Sequence, residues 1–261
     1  MAVSDEWKTM GDFAPGLDAN RLPSTKALAG KTITVNTTDG FRVVNRIGDD
    51  TFEYEVTDGP RAGQSGTEAY DAVEVRPGIF FMSFGHPETP EGVVQVLNMN
   101  TGRALVVVSY LTGATNHIDP KIDQICMVGD IEEVAQSGDN PSRSKDLVGK
   151  RMFYRYSKTQ AYEHIYITSR RFAWHALEGP QAGHSDVELT NTFKIDDELY
   201  FFSWFEKIIP TCGNFIFDLQ SMRSTGFFFG LSGEGEPLTG KAGAFFEFLS
   251  TTSYPEGVTT A

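Results

Sequence analysis

Cysteine is nearly absent from this 261-residue chain: Cys126 and Cys212 are the only two, with no CxxC pair and no Cys/His spacing of a zinc site. A disulfide framework is therefore excluded, and both residues read as buried thiols. Long apolar runs are missing as well, the longest being of the size of Ala104 to Val108. That is far below the roughly 18 residues a membrane-crossing helix needs. Basic residues are in deficit, 22 Lys and Arg against 35 Asp and Glu, for a formal charge of −13. Such a surface repels phosphate backbones and anionic headgroups, so neither nucleic acid nor a membrane is expected as a partner. Met1 to Trp7 contain neither a basic stretch nor an apolar core. No secretory signal is read there, and a cytoplasmic location is the expectation.

What the chain does have is an internal repeat. Leu28-Ala29-Gly30-Lys31 is matched by Leu147-Val148-Gly149-Lys150, an offset of 119 that then settles at 120. At that offset Gly59-Pro60-Arg61-Ala62-Gly63 answers Gly179-Pro180-Gln181-Ala182-Gly183, and Phe80-Phe81-Met82-Ser83-Phe84 answers Tyr200-Phe201-Phe202-Ser203-Trp204. Val96-Leu97-Asn98 through Arg103 likewise aligns with Ile216-Phe217-Asp218 through Arg223. Separated blocks in one register mean two copies of one domain, at 28–128 and 147–250. A polar linker, 129–146, joins them and contains the breaker Gly138-Asp139-Asn140-Pro141. Residues 1–27 form an N-terminal extension and 251–261 a C-terminal tail. With Trp7, Phe13 and Leu17, the extension is expected to pack on a barrel or cover its mouth.

Each copy alternates with period two in short β-rich runs such as Thr32 to Asn36, Phe41 to Ile47, Met152 to Tyr156 and Phe172 to Leu177. Turn signals recur every 8–12 residues or so, and no convincing helical stripe is present. About seven or eight strands in about 100 residues predict an all-β chain of two antiparallel up-and-down barrels. The runs Phe227-Phe228-Phe229 and Phe245-Phe246 are read as fully buried, serving equally well as an interdomain core or as the face of a homodimer.

The copies differ in chemistry. Tyr154 and Tyr156 share one strand face where the first copy has Val35 and Thr37, His184 stands for Gln64, and Glu206 for His86. Tyr162, His164 and Tyr166 share another face, as do Phe172, Trp174 and Ala176. Two phenols, an imidazole and a carboxylate converging on an aromatic cavity can orient a ligand and transfer a proton. Tyr154, Tyr156, His184 and Glu206 are the candidate catalytic residues, with Tyr162, His164, Trp174 and Arg223 as candidate substrate contacts. His164 and His175 need not share a face, so no metal is expected at His164, His175 and His184. Gly230 to Gly235 lacks the Lys-Ser/Thr ending of a phosphate loop and reads as a flexible loop. No cofactor is expected. The expected partner is a small aromatic or hydrophobic molecule.

On these residues the chain resembles the MoaF family, named for molybdenum cofactor biosynthesis. The likeness rests on Phe13-Ala14-Pro15, Asp18-Ala19-Asn20, Ala161 to Tyr166, Trp174-His175 before Glu178-Gly179-Pro180, and Asp218 to Arg223, and it spans nearly the whole chain. It implies a tandem lipocalin-like (calycin) architecture and names no substrate.

The second copy is also similar to bacterial phenolic acid decarboxylases, single calycin barrels with a Tyr-x-Tyr strand, an Ala-Gly-Arg turn and a Ser-Trp-x-Glu strand. Tyr154-Arg155-Tyr156, Ala182-Gly183-His184 and Ser203-Trp204-Phe205-Glu206 follow that order. The resemblance implies that Tyr154 and Tyr156 grip a substrate carboxylate, while His184 and Glu206 act at the phenol end and in proton transfer. His184 replaces the family's arginine, exchanging a permanent cation for an imidazole that can give or take a proton. That departure disfavours simple decarboxylation. The function expected is acid/base chemistry of lyase, isomerase or cyclase type on an aromatic or polyketide-like molecule in the second barrel. The alternatives are an accessory protein that binds a pterin-like or other metabolite unchanged, and an interaction scaffold whose cavities are filled by its own side chains.

Overall fold

Alternation in the sequence becomes antiparallel sheet because successive side chains on a strand point to opposite faces. A computed structural model describes residues 7–86 and 90–257; Met1 to Glu6, on which the expectation about a secretory signal falls, lie outside them. The first sheet holds β1 (Thr32–Thr37), β2 (Arg42–Ile47), β3 (Thr51–Asp58), β4 (Ser65–Ala69), β5 (Asp71–Arg76), β6 (Ile79–His86), β7 (Glu91–Asn98), β8 (Arg103–Leu111) and β9 (Ile122–Ile131). They are hydrogen bonded in the order β4-β3-β2-β1-β9-β8-β7-β6-β5. The second holds β10 (Ser142–Arg143), β11 (Lys150–Arg155), β12 (Ala161–Thr168), β13 (Arg171–Glu178), β14 (Ser185–Asp196), β15 (Leu199–Phe205), β16 (Thr211–Asp218), β17 (Arg223–Leu231) and β18 (Pro237–Thr251). There β14 pairs with both β13 and β15, and β11 with β18, so β11 to β18 close an up-and-down barrel with β10 added along β14. The chain is thus all-β, with two antiparallel barrels in tandem. Among the described residues no helix is long and apolar enough to cross a membrane.

The repeat is one of register as well as sequence. Phe52 stands opposite Glu68 and Phe172 opposite Glu188; Phe81 stands opposite Val96 and Phe201 opposite Ile216. Gly63 and Gly183 close equivalent turns with φ of 90° and 92°, a left-handed conformation that keeps glycine at both places. The copies differ at Tyr70, where the path of Ser65 to Arg76 breaks into β4 and β5 while its counterpart β14 runs unbroken. Both ends of the 129–146 segment are built into sheet, through β9 and β10.

Two compact units divide the chain, one of Leu22–Tyr110 with Gln124–Ser142. The other combines the described residues before Leu22, the segment Leu111–Asp123 and the described residues from Arg143 onward. Residues 22–27 of the N-terminal extension therefore belong with the first barrel, and its described part up to Arg21 belongs with the second. Its short helix α1 (Met10–Phe13) starts with the Thr9 amide donating to Asp12 Oδ2 at 3.0 Å. Met10, Phe13 and Leu17 are buried in that barrel's core. Gln160 Nε2 donates to the Phe13 carbonyl at 3.0 Å and the Gly243 amide to the Leu17 carbonyl at 2.9 Å.

The interiors are made of different material. The first barrel is lined mainly by aliphatic side chains such as Ile33, Val35, Val43, Val56, Val93 and Val106. The second packs Tyr154, Tyr156, Tyr162, Tyr166, Phe172, Trp174, Phe202, Trp204, Phe215, Phe217, Phe228 and Phe246 into one cluster. One expectation is corrected here: Phe246 is buried but Phe245 is 49% exposed. Adjacent residues on a strand face opposite ways, and Phe245 lies outside beneath the Arg223 guanidinium, 4.7 Å from the ring centre.

Fitting so many rings demands gaps elsewhere. Gly213 and Gly226 stand where the first copy has Val93 and Val106, and a Cβ at either would run into the Trp204 or Phe215 ring respectively. Gly226→Val, which restores the first copy's residue, is expected to destabilise the second barrel by about 1–3 kcal/mol through overpacking. Denaturant unfolding of the full chain measures it; an unchanged midpoint would show that the rings can move aside.

Candidate active site

Strands β11, β12, β13 and β15 each turn alternate side chains inward, and these meet under the N-terminal extension. Tyr156, Tyr162, His164, Trp174, Trp204 and Glu206 line a cavity of about 30 Å³, closed by Gln181, Phe228 and the extension's Phe13 and Leu17. That volume admits a water or two. Its walls are ordered by ring contacts: Tyr156 and Tyr162 meet edge to face at 5.6 Å, and Trp204 stacks on Phe215 at 5.2 Å. The Tyr162 hydroxyl donates to Gln181 Oε1 at 3.2 Å.

Of the residues predicted from sequence, Tyr156, Tyr162, His164, Trp174 and Glu206 are brought together at this cavity. The other three are not. Tyr154 lies one layer deeper, its ring 4.3 Å from that of His164 and its hydroxyl 2.7 Å from that of Tyr166. Alternation puts Tyr154 and Tyr156 on the same face, but the Tyr166 hydroxyl holds the Tyr154 hydroxyl away from the cavity. His184 sits at the rim, with Nδ1 3.1 Å from the Gln181 carbonyl oxygen and its ring against Trp7 at 5.1 Å. Trp7 in turn packs edge-on against Trp174 at 5.8 Å. Arg223 is outside the barrel, donating from Nη2 to the Asn20 carbonyl at 3.0 Å. Because the register of β17 directs Arg223 and the buried Phe228 to opposite faces, the guanidinium cannot reach the cavity. His164 and His175 also diverge, His175 lying on the outer face 3.6 Å from Glu163.

Burial sets the proton affinities. His164, fully enclosed, is lowered to about 3 by desolvation and is neutral. The Tyr156 and Tyr162 phenols are raised by the same cause, with nearby Tyr162 and Glu206 respectively adding to it. Glu206 lies just beyond β15, where Trp204 Nε1 donates to its Oε1 at 2.8 Å. Desolvation nonetheless holds its pKa well above the usual carboxylate range, against the opposing effect of the Trp204 bond. Behind it Glu188, fully buried on β14, is raised first by desolvation and then by the Glu206 charge. Lys207 Nζ offsets this in part, 3.6 Å from Glu188 Oε2 and 2.9 Å from Asp186 Oδ1. Two carboxyl groups so placed cannot both ionise without penalty, so the pair retains a proton at neutral pH.

Glu188 escapes a reading based on hydrophobic alternation. In Val187-Glu188-Leu189-Thr190 the apolar residues would be assigned inward, yet Val187 is 42% exposed while Glu188 and Thr190 are buried. The usable signal is the repeat itself, which sets Glu188 against Glu68 and Glu206 against His86. Among the described residues, Glu206 Oε2, both Glu188 oxygens and Trp174 Nε1 find no hydrogen-bond partner.

Residues 5–113 match the MoaF N-terminal domain and residues 141–252 the MoaF C-terminal domain. Protein MoaF of Klebsiella aerogenes is 32% identical over 197 residues, covering 71% of this chain and 75% of that protein. The chain belongs to the MoaF family. A crystal structure of a "putative beta-lactamase" from Burkholderia vietnamiensis aligns with 43% of this MoaF chain and 97% of its own, at 24% identity and a TM-score of 0.34. That level of likeness supports no inference about function.

The carboxyl pair has a consequence for stability. The folded protein keeps a proton that ordinary, unfolded glutamates release above about pH 4.5, so stability falls as pH rises beyond that point. Glu206→Gln, which needs no proton, is expected to flatten this decline. Melting temperatures of both proteins across pH 5 to 8 measure it, and parallel curves would sink the assignment.

Proposed function

We propose that the second barrel is an acid/base active site acting on a small aromatic or polyketide-like molecule, in a reaction of lyase, isomerase or cyclase type. The observation that carries this reading is the buried carboxyl pair Glu188–Glu206 beside an aromatic cavity. A carboxyl with raised proton affinity can hold a proton at neutral pH, give it to a substrate atom and take one back. Glu206 lines the cavity and serves as the acid/base, while Glu188 buffers its charge from behind. The unpartnered Trp174 N–H and the Tyr156 phenol supply donors that orient a substrate oxygen, while Tyr162, whose proton goes to Gln181, has acceptor capacity. His164, neutral and packed between Tyr154 and Phe172, shapes the wall. His184, at the rim behind Trp7, acts on access and not on the reacting atoms.

A metabolite-sized ligand needs roughly 300 Å³ or more, about ten times the closed volume. Binding in this scheme displaces Phe13 and Leu17, the two cavity residues contributed by the extension. No cation is among the residues lining this cavity, and a substrate carboxylate would face Glu206. The reading therefore favours an uncharged phenol, enol or ketone over the phenolic acids of the decarboxylases.

Thermal shift and product detection with hydroxylated aromatics, phenolic acids and pterins test the proposal on wild type and Glu206→Gln. A ligand at a hundred times its Kd stabilises by roughly 2.7 kcal/mol, which is readily seen. The expected outcome is that one phenolic or enolic compound shifts both proteins, and that turnover in the variant falls by about 100- to 10,000-fold. Undiminished turnover would remove Glu206 from the mechanism. Pterin binding without product in either protein would put the accessory-binding reading in its place.

A further inference from the structure

The first barrel, whose sequence lacks the tyrosine pair, contains the larger opening. Its interior leaves a pocket of about 610 Å³, walled on the apolar side by Val43, Val56, Val93, Val106 and Val108 with Tyr54 and Phe41, and on the polar side by Arg61, Gln64, Ser65, His86, Glu91 and Gln95. That size lies within the range of small-molecule sites. At the pocket wall the buried Gln95 pairs with Asn45, Nε2 donating to Asn45 Oδ1 at 3.2 Å and Oε1 accepting from Asn45 Nδ2 at 3.4 Å. An amide has two N–H groups and two acceptor positions. The pairing leaves Gln95 one of each for a ligand.

Charge at the pocket is already matched. Arg61 grips Glu91 with both guanidinium nitrogens, at 2.7 and 2.6 Å, and His86 Nδ1 lies 3.0 Å from Glu68 Oε1. An ion entering would have to break one of these pairs or lie buried without a counter-charge, and either is costly. We infer that the first barrel is a second, independent ligand site, taking an uncharged, largely apolar small molecule whose single hydroxyl, carbonyl or amide end bonds to Gln95.

The site belongs wholly to the first barrel and stands whether or not the second barrel is catalytic. Fluorescence titration of the full chain with the neutral probe N-phenyl-1-naphthylamine tests it, with anilinonaphthalene sulfonate as the anionic counterpart. Wild type is expected to bind the neutral probe saturably, one per chain, and at least tenfold more tightly than the anion. Val106→Trp fills the pocket and Gln64→Trp narrows its exposed rim; each is expected to weaken the neutral probe at least tenfold. Leu249→Ser, an exposed apolar position on the second barrel, is expected to leave binding unchanged. If Val106→Trp does not fold, the surface variant Gln64→Trp decides. The inference is overturned by no saturable binding, by equal affinity for the two probes, by wild-type affinity in Gln64→Trp, or by loss in Leu249→Ser.

Discussion

Everything distinctive in this molecule depends on how much side-chain volume is turned into a closed barrel. Strand number and tilt set the interior of a barrel, and alternate residues of every strand must share it. Repeating one fold twice with different inward residues therefore yields different objects. With tyrosine, phenylalanine and tryptophan pointing in, the second barrel is packed until only about 30 Å³ is open, and Gly213 and Gly226 give up their side chains to make room. With valines at those two positions and Gln95 in place of Phe215, the first retains about 610 Å³.

The same logic governs the polar groups. Residues 68 and 86 of the first copy and 188 and 206 of the second occupy equivalent places. In the first copy glutamate and histidine complement each other through a hydrogen bond. In the second, two carboxyl groups lie in a desolvated, ring-lined space, where burial raises both proton affinities, the Glu206 charge adding to it at Glu188 and the Asp186 charge at Glu206. One substitution, histidine to glutamate, converts a satisfied pair into a proton reservoir. The extension adds a further element, since Phe13 and Leu17 are at once core residues and the cover of the cavity.

Much of this was legible in the sequence, and the exceptions share a cause. Strand alternation, turn glycines and the repeat are local or periodic, so they identified the barrels, the inward faces of β11, β12 and β13, and five of the residues that meet at the cavity. Arg223 was misplaced because its motif likeness contains no information about which face of β17 it occupies. Tyr154 was misread because its true partner, Tyr166, is on the neighbouring strand. Phe245 and Phe246 were taken together although alternation separates them. Glu188 was overlooked because burying a carboxylate contradicts the hydrophobic pattern from which inward faces are inferred.

By itself, then, the sequence determined the class of fold, the duplication and the contrast between an aliphatic and an aromatic interior, since these follow from period, turn chemistry and side-chain size. Only the tertiary structure decided that the aromatic barrel is nearly full and the aliphatic one open, that the extension covers the former, and that Glu188 stands behind Glu206. Cavity volume and proton affinity are sums over neighbours brought together from many strands, and no stretch of chain contains all the terms.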